Sequence, residues 1–132
     1  MLGLADFLIP NESEAALLTG LPVESQAQAE EAARVLLGRG ARCVIVTLGA
    51  QGALVCVEGA EAVMVGAFNA GPVLETTGAG DAFCGGFAAA LSEGQTVLEA
   101  ARFGCATAGI SVTRAGTAPS MPRRSEIEAL LG

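Results

Sequence analysis

Residues 41–49, ARCVIVTLG, constrain the fold more than any other stretch of this chain. A run of Val and Ile without polar alternation has no face to offer to water. It therefore reads as a strand buried on both faces, as in a largely parallel sheet covered by helices. The flanking segments supply those helices. LADFLIP is a short apolar strand ended by Pro10, and NESEAALLTG follows as a helix. Asn11 is its N-cap, Glu12 and Glu14 sit in its first turn, and Gly20 closes it. ESQAQAEEAARVLLGRG is a longer helix with Ala, Val and Leu on one face and Glu and Gln on the other, ended by Gly38 and Gly40.

Beyond the GAQG turn, ALVCVEG and EAVMVGA are two strands joined by a short turn near Gly59. The polar loop FNAGPVLETTGAG feeds an alanine-rich helix, DAFCGGFAAALSEG, and TVLEAARFGCATAGISVTR is the next helix. AGTAPSMP is a loop, and RRSEIEALLG is a short closing helix. This order predicts an α/β layered fold, and 132 residues suit a single domain with a real core. No internal repeat or low-complexity linker is visible. The chain opens directly on a strand and a helix, without the β-α units that usually precede them, and reads as the later half of a larger fold.

Composition removes several function classes. The net charge is −7 with only seven Lys plus Arg, and there is no Trp or Tyr. Nucleic acid is therefore not an expected partner. An anionic substrate would depend on backbone N–H groups and helix N-termini more than on side-chain cations. Apolar runs are interrupted well short of a membrane span, so no membrane partner is expected. MLGLADFLIPNESEA lacks a basic n-region and meets Asp6 early, which argues against a secretory signal and for a cytoplasmic protein. Cys43, Cys56, Cys84 and Cys105 are scattered without a C-x-x-C pair, and His is absent. A zinc site is not expected, and no Ser-His or Cys-His pair exists within the chain. Carboxylates, backbone amides and a bound cation are the chemical tools that remain.

TTGAGDAFCGGF, residues 76–87, is where those tools gather. It is not a P-loop, since no Lys follows the glycines, and it is not a dinucleotide fingerprint, since Phe83 stands where the last Gly belongs. Gly78, Ala79 and Gly80 fall at the start of the alanine-rich helix, where the first N–H groups are unpaired and the dipole is positive. Glycine lets a phosphate approach the backbone with no Cβ in the way. Asp81, in the same turn, is placed to accept a hydroxyl's proton as that oxygen attacks phosphorus. Taken by itself the stretch fits a tight turn with a first-turn acid equally well. Gly85 and Gly86 are expected to serve close helix packing.

NESEAALLTG, VIVTLGAQGALV, TTGAGDAFCGGFAAAL and VTRAGTAPSMPRRSEIEALL occur in the order found in the carboxy-terminal half of the ribokinase-like (phosphofructokinase-B type) carbohydrate kinases. The chain resembles that family over essentially its whole length, and its TRAGTAPSMP ending is similar to the ribokinase branch. The resemblance implies a three-layer α/β fold, with a largely parallel sheet and helices on both faces. It implies that residues 1–132 are one ATP-binding and catalytic portion, without the amino-terminal sugar-binding and lid half.

The implied activity is ATP-dependent phosphoryl transfer to the primary hydroxyl of a sugar, with D-ribose the first candidate. A fructokinase-like member, or a catalytically incompetent nucleotide-binding fragment, are the alternatives. By resemblance, Asp81 is the catalytic base, and the amides of Gly78, Ala79 and Gly80 form the anion hole. Asn11 and Glu14 match the N-x-x-E motif associated with nucleotide phosphates and Mg²⁺, the latter through water. Thr47, Gly49 and Gly52 match the strand-end turn bordering ATP, and Cys105 stands where the family carries an Asn near adenine. A K⁺ site is implied at Glu75 and Thr77 from one loop and Ser111, Arg114, Gly116 and Ser120 from another.

Three departures bear on these roles. Glu75 replaces the family's Asp, which moves the carboxylate by more than about 1 Å and is expected to weaken or reshape the cation site. Cys105 in place of the Asn removes the expected contact near the adenine. The missing half would leave apolar sheet edges uncovered, so self-association is expected.

Overall fold

Pro10 and Asn11 turn the chain from its first strand into its first helix, and the candidate site begins at that junction. The computed structural model describes residues 6–68, 71, 78–113 and 124–131. They fall into two units, Met1–Val65 and Gly66–Gly132.

In the first unit, β1 (Phe7–Leu8) leads into α1 (Glu12–Thr19), which is followed by α2 (Gln26–Gly38). α1 runs from the Asn11 cap to Gly20, whose φ of 74° and N–H bond to the Ala16 carbonyl at 2.8 Å stop the helix. α2 is capped by Ser25, whose hydroxyl oxygen accepts from the Gln28 N–H at 3.2 Å. Its buried residues, Ala29, Ala32, Ala33 and Leu36, form one helical stripe. Arg39 ties the two helices together by donating from Nη1 to the Leu18 carbonyl.

β2 (Cys43–Thr47) and β3 (Gly52–Val57) are joined by a 3₁₀ turn, Gly49–Gln51, and β4 (Val63–Gly66) follows. The strands lie in the order β1-β2-β3-β4. Where a largely parallel sheet is expected, the described sheet is mixed. β1 pairs parallel with β2, but β2 pairs antiparallel with β3 from Cys43↔Val57 to Thr47↔Ala53. The physical reason is the connection: a parallel return needs a crossover of a dozen residues or so, and the three-residue turn allows only a hairpin.

Burial on both faces of β2 is as expected, with Cys43, Val44, Ile45 and Val46 all at 0% exposure. Val44 and Val46 join Leu54, Cys56 and the buried residues of α1 and α2 in one core. Burying each such aliphatic side chain contributes about 1.5–3 kcal/mol, so this hairpin anchors the unit.

The second unit is built on α3 (Ala79–Ser92) and α4 (Val97–Ser111), with α5 (Arg124–Leu131) packed against α4 through Ile127. Thr96 and Glu99 close a capping box at the start of α4. Gly86 is a close-approach position as expected: a Cβ there would stand 2.9 Å from the Thr107 Cβ and 3.3 Å from the Gly104 Cα. Gly85 is not one, because the helical turn puts it on the exposed side of α3. α4 also receives the chain leaving β4. Arg102 lies over the Phe68 ring at 5.4 Å, and the Phe68 carbonyl oxygen occupies the space a Cβ on Gly109 would need. Among the described residues, no helix is long and apolar enough to cross a membrane.

Candidate active site

In the first unit the site residues gather where β1 and β2, running parallel, reach their carboxyl ends. That is the edge at which open α/β sheets bind ligands. Asn11 and Thr47 form a parallel bridge there, and the Thr47 N–H donates to the Pro10 carbonyl at 2.9 Å. The N-x-x-E helix and the strand-end turn, far apart in sequence, are thus adjacent.

Asn11 and Glu14 satisfy each other in a capping box. The Glu14 N–H donates to Asn11 Oδ1 at 2.8 Å, and the Asn11 N–H donates to Glu14 Oε1 at 2.9 Å. Both residues are exposed. The reciprocal box uses one oxygen of each side chain, so Asn11 Nδ2 and Glu14 Oε2 have no partner among the described residues. One carboxylate oxygen facing water is a fitting donor for a Mg²⁺ that keeps most of its water shell.

Next to them, Gly49 opens the 3₁₀ turn with φ 57° and Gly52 closes it with φ 112° and ψ −131°. The Gly52 conformation is open essentially to glycine alone, so this turn keeps its backbone bare of side chains.

In the second unit Gly78 is the N-cap of α3, with φ 86° and ψ −1°, and no side chain caps the helix. The first helical hydrogen bond runs from the Ala82 N–H to the Gly78 carbonyl at 2.9 Å. The amides of Ala79, Gly80 and Asp81 therefore precede intrahelical pairing and point out of the helix end, where the dipole favours an anion. Asp81 is exposed in that same turn. Its own amide joins the set, which the sequence pattern alone does not single out. Gly80 has ordinary helical φ, and nothing lies within 4 Å of where its Cβ would be. Neither packing nor backbone conformation requires glycine there.

Cys105 is buried in α4, and burial pushes its thiol up to about 11. It keeps only 5% exposure, little surface for a ligand to touch. Ser111 is buried at the last turn of α4, where helix carbonyls lack intrahelical partners and the dipole favours a cation. Glu75, Thr77, Arg114, Gly116 and Ser120 lie outside the described residues. Among the described residues no three His, Cys, Asp or Glu side chains gather as metal ligands.

Comparison with known proteins follows the same lines. The model of the pfkB family carbohydrate kinases matches residues 1–124. The chain belongs to that family. It is 43% identical over 126 residues to a ribokinase of Haemophilus influenzae, covering 96% of this chain and 40% of the relative. An Arabidopsis thaliana ribokinase, solved with ribose and ATP, superposes with a TM-score of 0.91 at 38% identity, over 96% of this chain and 40% of that one. A Vibrio cholerae fructokinase, solved with fructose, ADP and calcium, superposes at 0.82 with 31% identity, over 96% and 41%. The fold is therefore ribokinase-like α/β, and this pfkB chain spans about two fifths of the length of the relatives it matches.

Proposed function

We propose that this chain is the ATP-binding and catalytic portion of a ribokinase-type sugar kinase, transferring the γ-phosphoryl group of ATP to the primary hydroxyl of D-ribose to give ribose 5-phosphate. The observation that carries the reading is the start of α3. Glycine at the cap leaves the amides of Ala79, Gly80 and Asp81 open, with Asp81 exposed in the same first turn. Phosphoryl transfer needs these two things together: fixed dipoles where negative charge spreads over the transferring group, and a base for the attacking hydroxyl.

In this reading Asp81 accepts the hydroxyl proton as the sugar oxygen attacks phosphorus, and the amides of Gly78, Ala79 and Gly80 hold the phosphoryl oxygens. Asn11, Thr47, Gly49 and Gly52 border the nucleotide, and Cys105 lies toward the adenine. Glu14 holds the water shell of Mg²⁺, which when bound neutralises phosphate charge. Glu75, Thr77, Ser111, Arg114, Gly116 and Ser120 hold K⁺, and the protein works in the cytoplasm. Remaining sugar contacts come from sequence outside this chain, so the chain by itself binds nucleotide and turns over at most traces of ribose. Surfaces that such sequence would cover favour self-association of the isolated chain, and α1 already exposes Leu17 and Leu18.

A fructokinase-like specificity is the second reading, supported by the 31% identity to the Vibrio enzyme. Calorimetric titration of the chain with ATP·Mg²⁺ tests the first reading: saturable binding, strengthened by K⁺, is expected, and no binding refutes it. Robust ribose-dependent ADP formation by the isolated chain would refute the claim that it is incomplete. Faster turnover of fructose than ribose by the protein that contains this chain would favour the second reading.

A further inference from the structure

The start of α3 is held in place by α4, and the hold is backbone-tight. Phe83, the second residue after Asp81, is 3% exposed and lies against Gly104. A Cβ on Gly104 would stand 2.9 Å from the ring atoms Cδ2 and Cε2, and 2.9 Å from the Phe83 carbonyl oxygen. The ring is buried and stacks on Phe87 with centroids 6.1 Å apart and planes 11° apart. One turn further on, Gly86 meets Thr107, whose hydroxyl donates to the Phe103 carbonyl at 2.8 Å and is itself fixed.

We infer that Gly104 is a positioning residue for the phosphate-binding end of α3: by admitting the Phe83 backbone at contact distance, it sets where the amides of Ala79–Asp81 and the Asp81 carboxylate stand. The inference rests on the phosphoryl-transfer reading above for its consequence, though not for its geometry. The Phe83 carbonyl belongs to the α3 backbone just past its first turn, so an atom added at Gly104 presses on the helix itself as well as on the ring. Hydrogen bonds weaken steeply as their angle opens, and a misplacement of about 1 Å in a reacting geometry costs about a hundredfold. Gly104 touches neither nucleotide nor sugar in this scheme and acts only through α3.

The test uses the chain with Gly104→Ala, and Gly86→Ala as a control farther from the site. Amide resonances of Ala79, Gly80 and Asp81 are followed by NMR, and ATP·Mg²⁺ affinity by calorimetry below the unfolding temperature. Gly104→Ala is expected to shift all three amides and weaken ATP by about tenfold, the scale of one misaligned hydrogen bond to a charged group. Gly86→Ala should lower stability with a smaller effect on both. Adding Phe83→Leu to Gly104→Ala relieves the ring contact but leaves the Phe83 carbonyl oxygen 2.9 Å from the new methyl, so the amides should stay displaced and ATP weakly bound; full recovery of both would overturn the backbone route.

Unmoved amides in folded Gly104→Ala overturn the inference whether or not the wild-type chain binds ATP. Moved amides with unchanged affinity overturn its functional half. Absence of binding by the wild type instead overturns the phosphoryl-transfer reading. Should Gly104→Ala not fold, the wild-type chain carries the test: nuclear Overhauser contacts from the Gly104 Hα protons to the Phe83 side chain are expected, and their absence would overturn the inference.

Discussion

Gly80→Ala separates what the fold needs from what the site needs, because the two predict effects of opposite sign. Gly80 is the second residue of α3, its φ is not positive, and a Cβ there meets nothing within 4 Å. For the fold, then, alanine is the better residue. Glycine in a helix costs about 0.5–1 kcal/mol relative to alanine, through the backbone entropy it surrenders. For a chain of this size that corresponds to a rise of about 2–5 °C in the unfolding temperature. For the site, the added methyl stands among the amides that are to receive phosphate oxygens. Forcing a methyl into a fitted contact costs about 1–3 kcal/mol, which is about fivefold to about 150-fold in affinity. Thermal unfolding followed by circular dichroism gives the first quantity, and titration with ATP·Mg²⁺ gives the second. A variant that is more stable and binds ATP more weakly is expected. Lower stability would mean that glycine serves the fold, and unchanged affinity would mean that no phosphate approaches this backbone. Either result refutes the reasoning.

Gly86→Ala should lose about 1–3 kcal/mol in urea unfolding, since its Cβ would meet Thr107 and neither helix can retreat without opening the contact. Asn11→Ser keeps a good N-cap and should change stability by less than about 0.5 kcal/mol, whereas Asn11→Ala should lose about 1 kcal/mol. If Asn11 also serves the nucleotide, both variants weaken ATP·Mg²⁺ binding; affinity that tracks stability alone would reduce Asn11 to a cap. Burial, with Cys56 nearby, pushes the Cys43 thiol up to about 12, and burial pushes Cys105 up to about 11. Unfolding restores values near 9.0, so the folded chain holds these protons more tightly. Stability is therefore complete below that pH and declines as the pH rises toward the folded values. Urea midpoints that stay flat between about pH 9 and 11 would show that these thiols are not buried as described.

Local signals carried most of the fold. Asn11 and Gly20 mark the ends of α1 because capping is decided by a few adjacent residues, and β2 is plain because nothing in CVIV, before Thr47, suits water. The mixed pairing was less legible, since a continuous apolar run reports burial but not the direction of its neighbour. Only the length of the GAQG turn decides that, and it makes β2 and β3 a hairpin. For the site, Asp81 and the glycines before it could be read from the helix start that follows them. The closing of Asn11 and Glu14 on each other was available as a capping-box spacing. Gly104 and Thr107 do not stand out in the sequence, because in a helix already rich in Ala a small residue looks like one more apolar position. The signal was the i, i+3 placement of two small residues opposite Gly86, which becomes meaningful only when the partner helix is known.

The hairpin has a consequence for how the first unit assembles. β2 and β3 meet across a three-residue turn, so their contacts close almost no loop and can form early. β1 contributes only Phe7 and Leu8, and its pairing with Cys43 and Val44 must close a loop that holds both α1 and α2. That step pays the larger entropy for the shorter strand. It is expected to come after the hairpin in folding and to open before it, which leaves the Asn11–Thr47 junction less protected from amide exchange than the β2–β3 pairing.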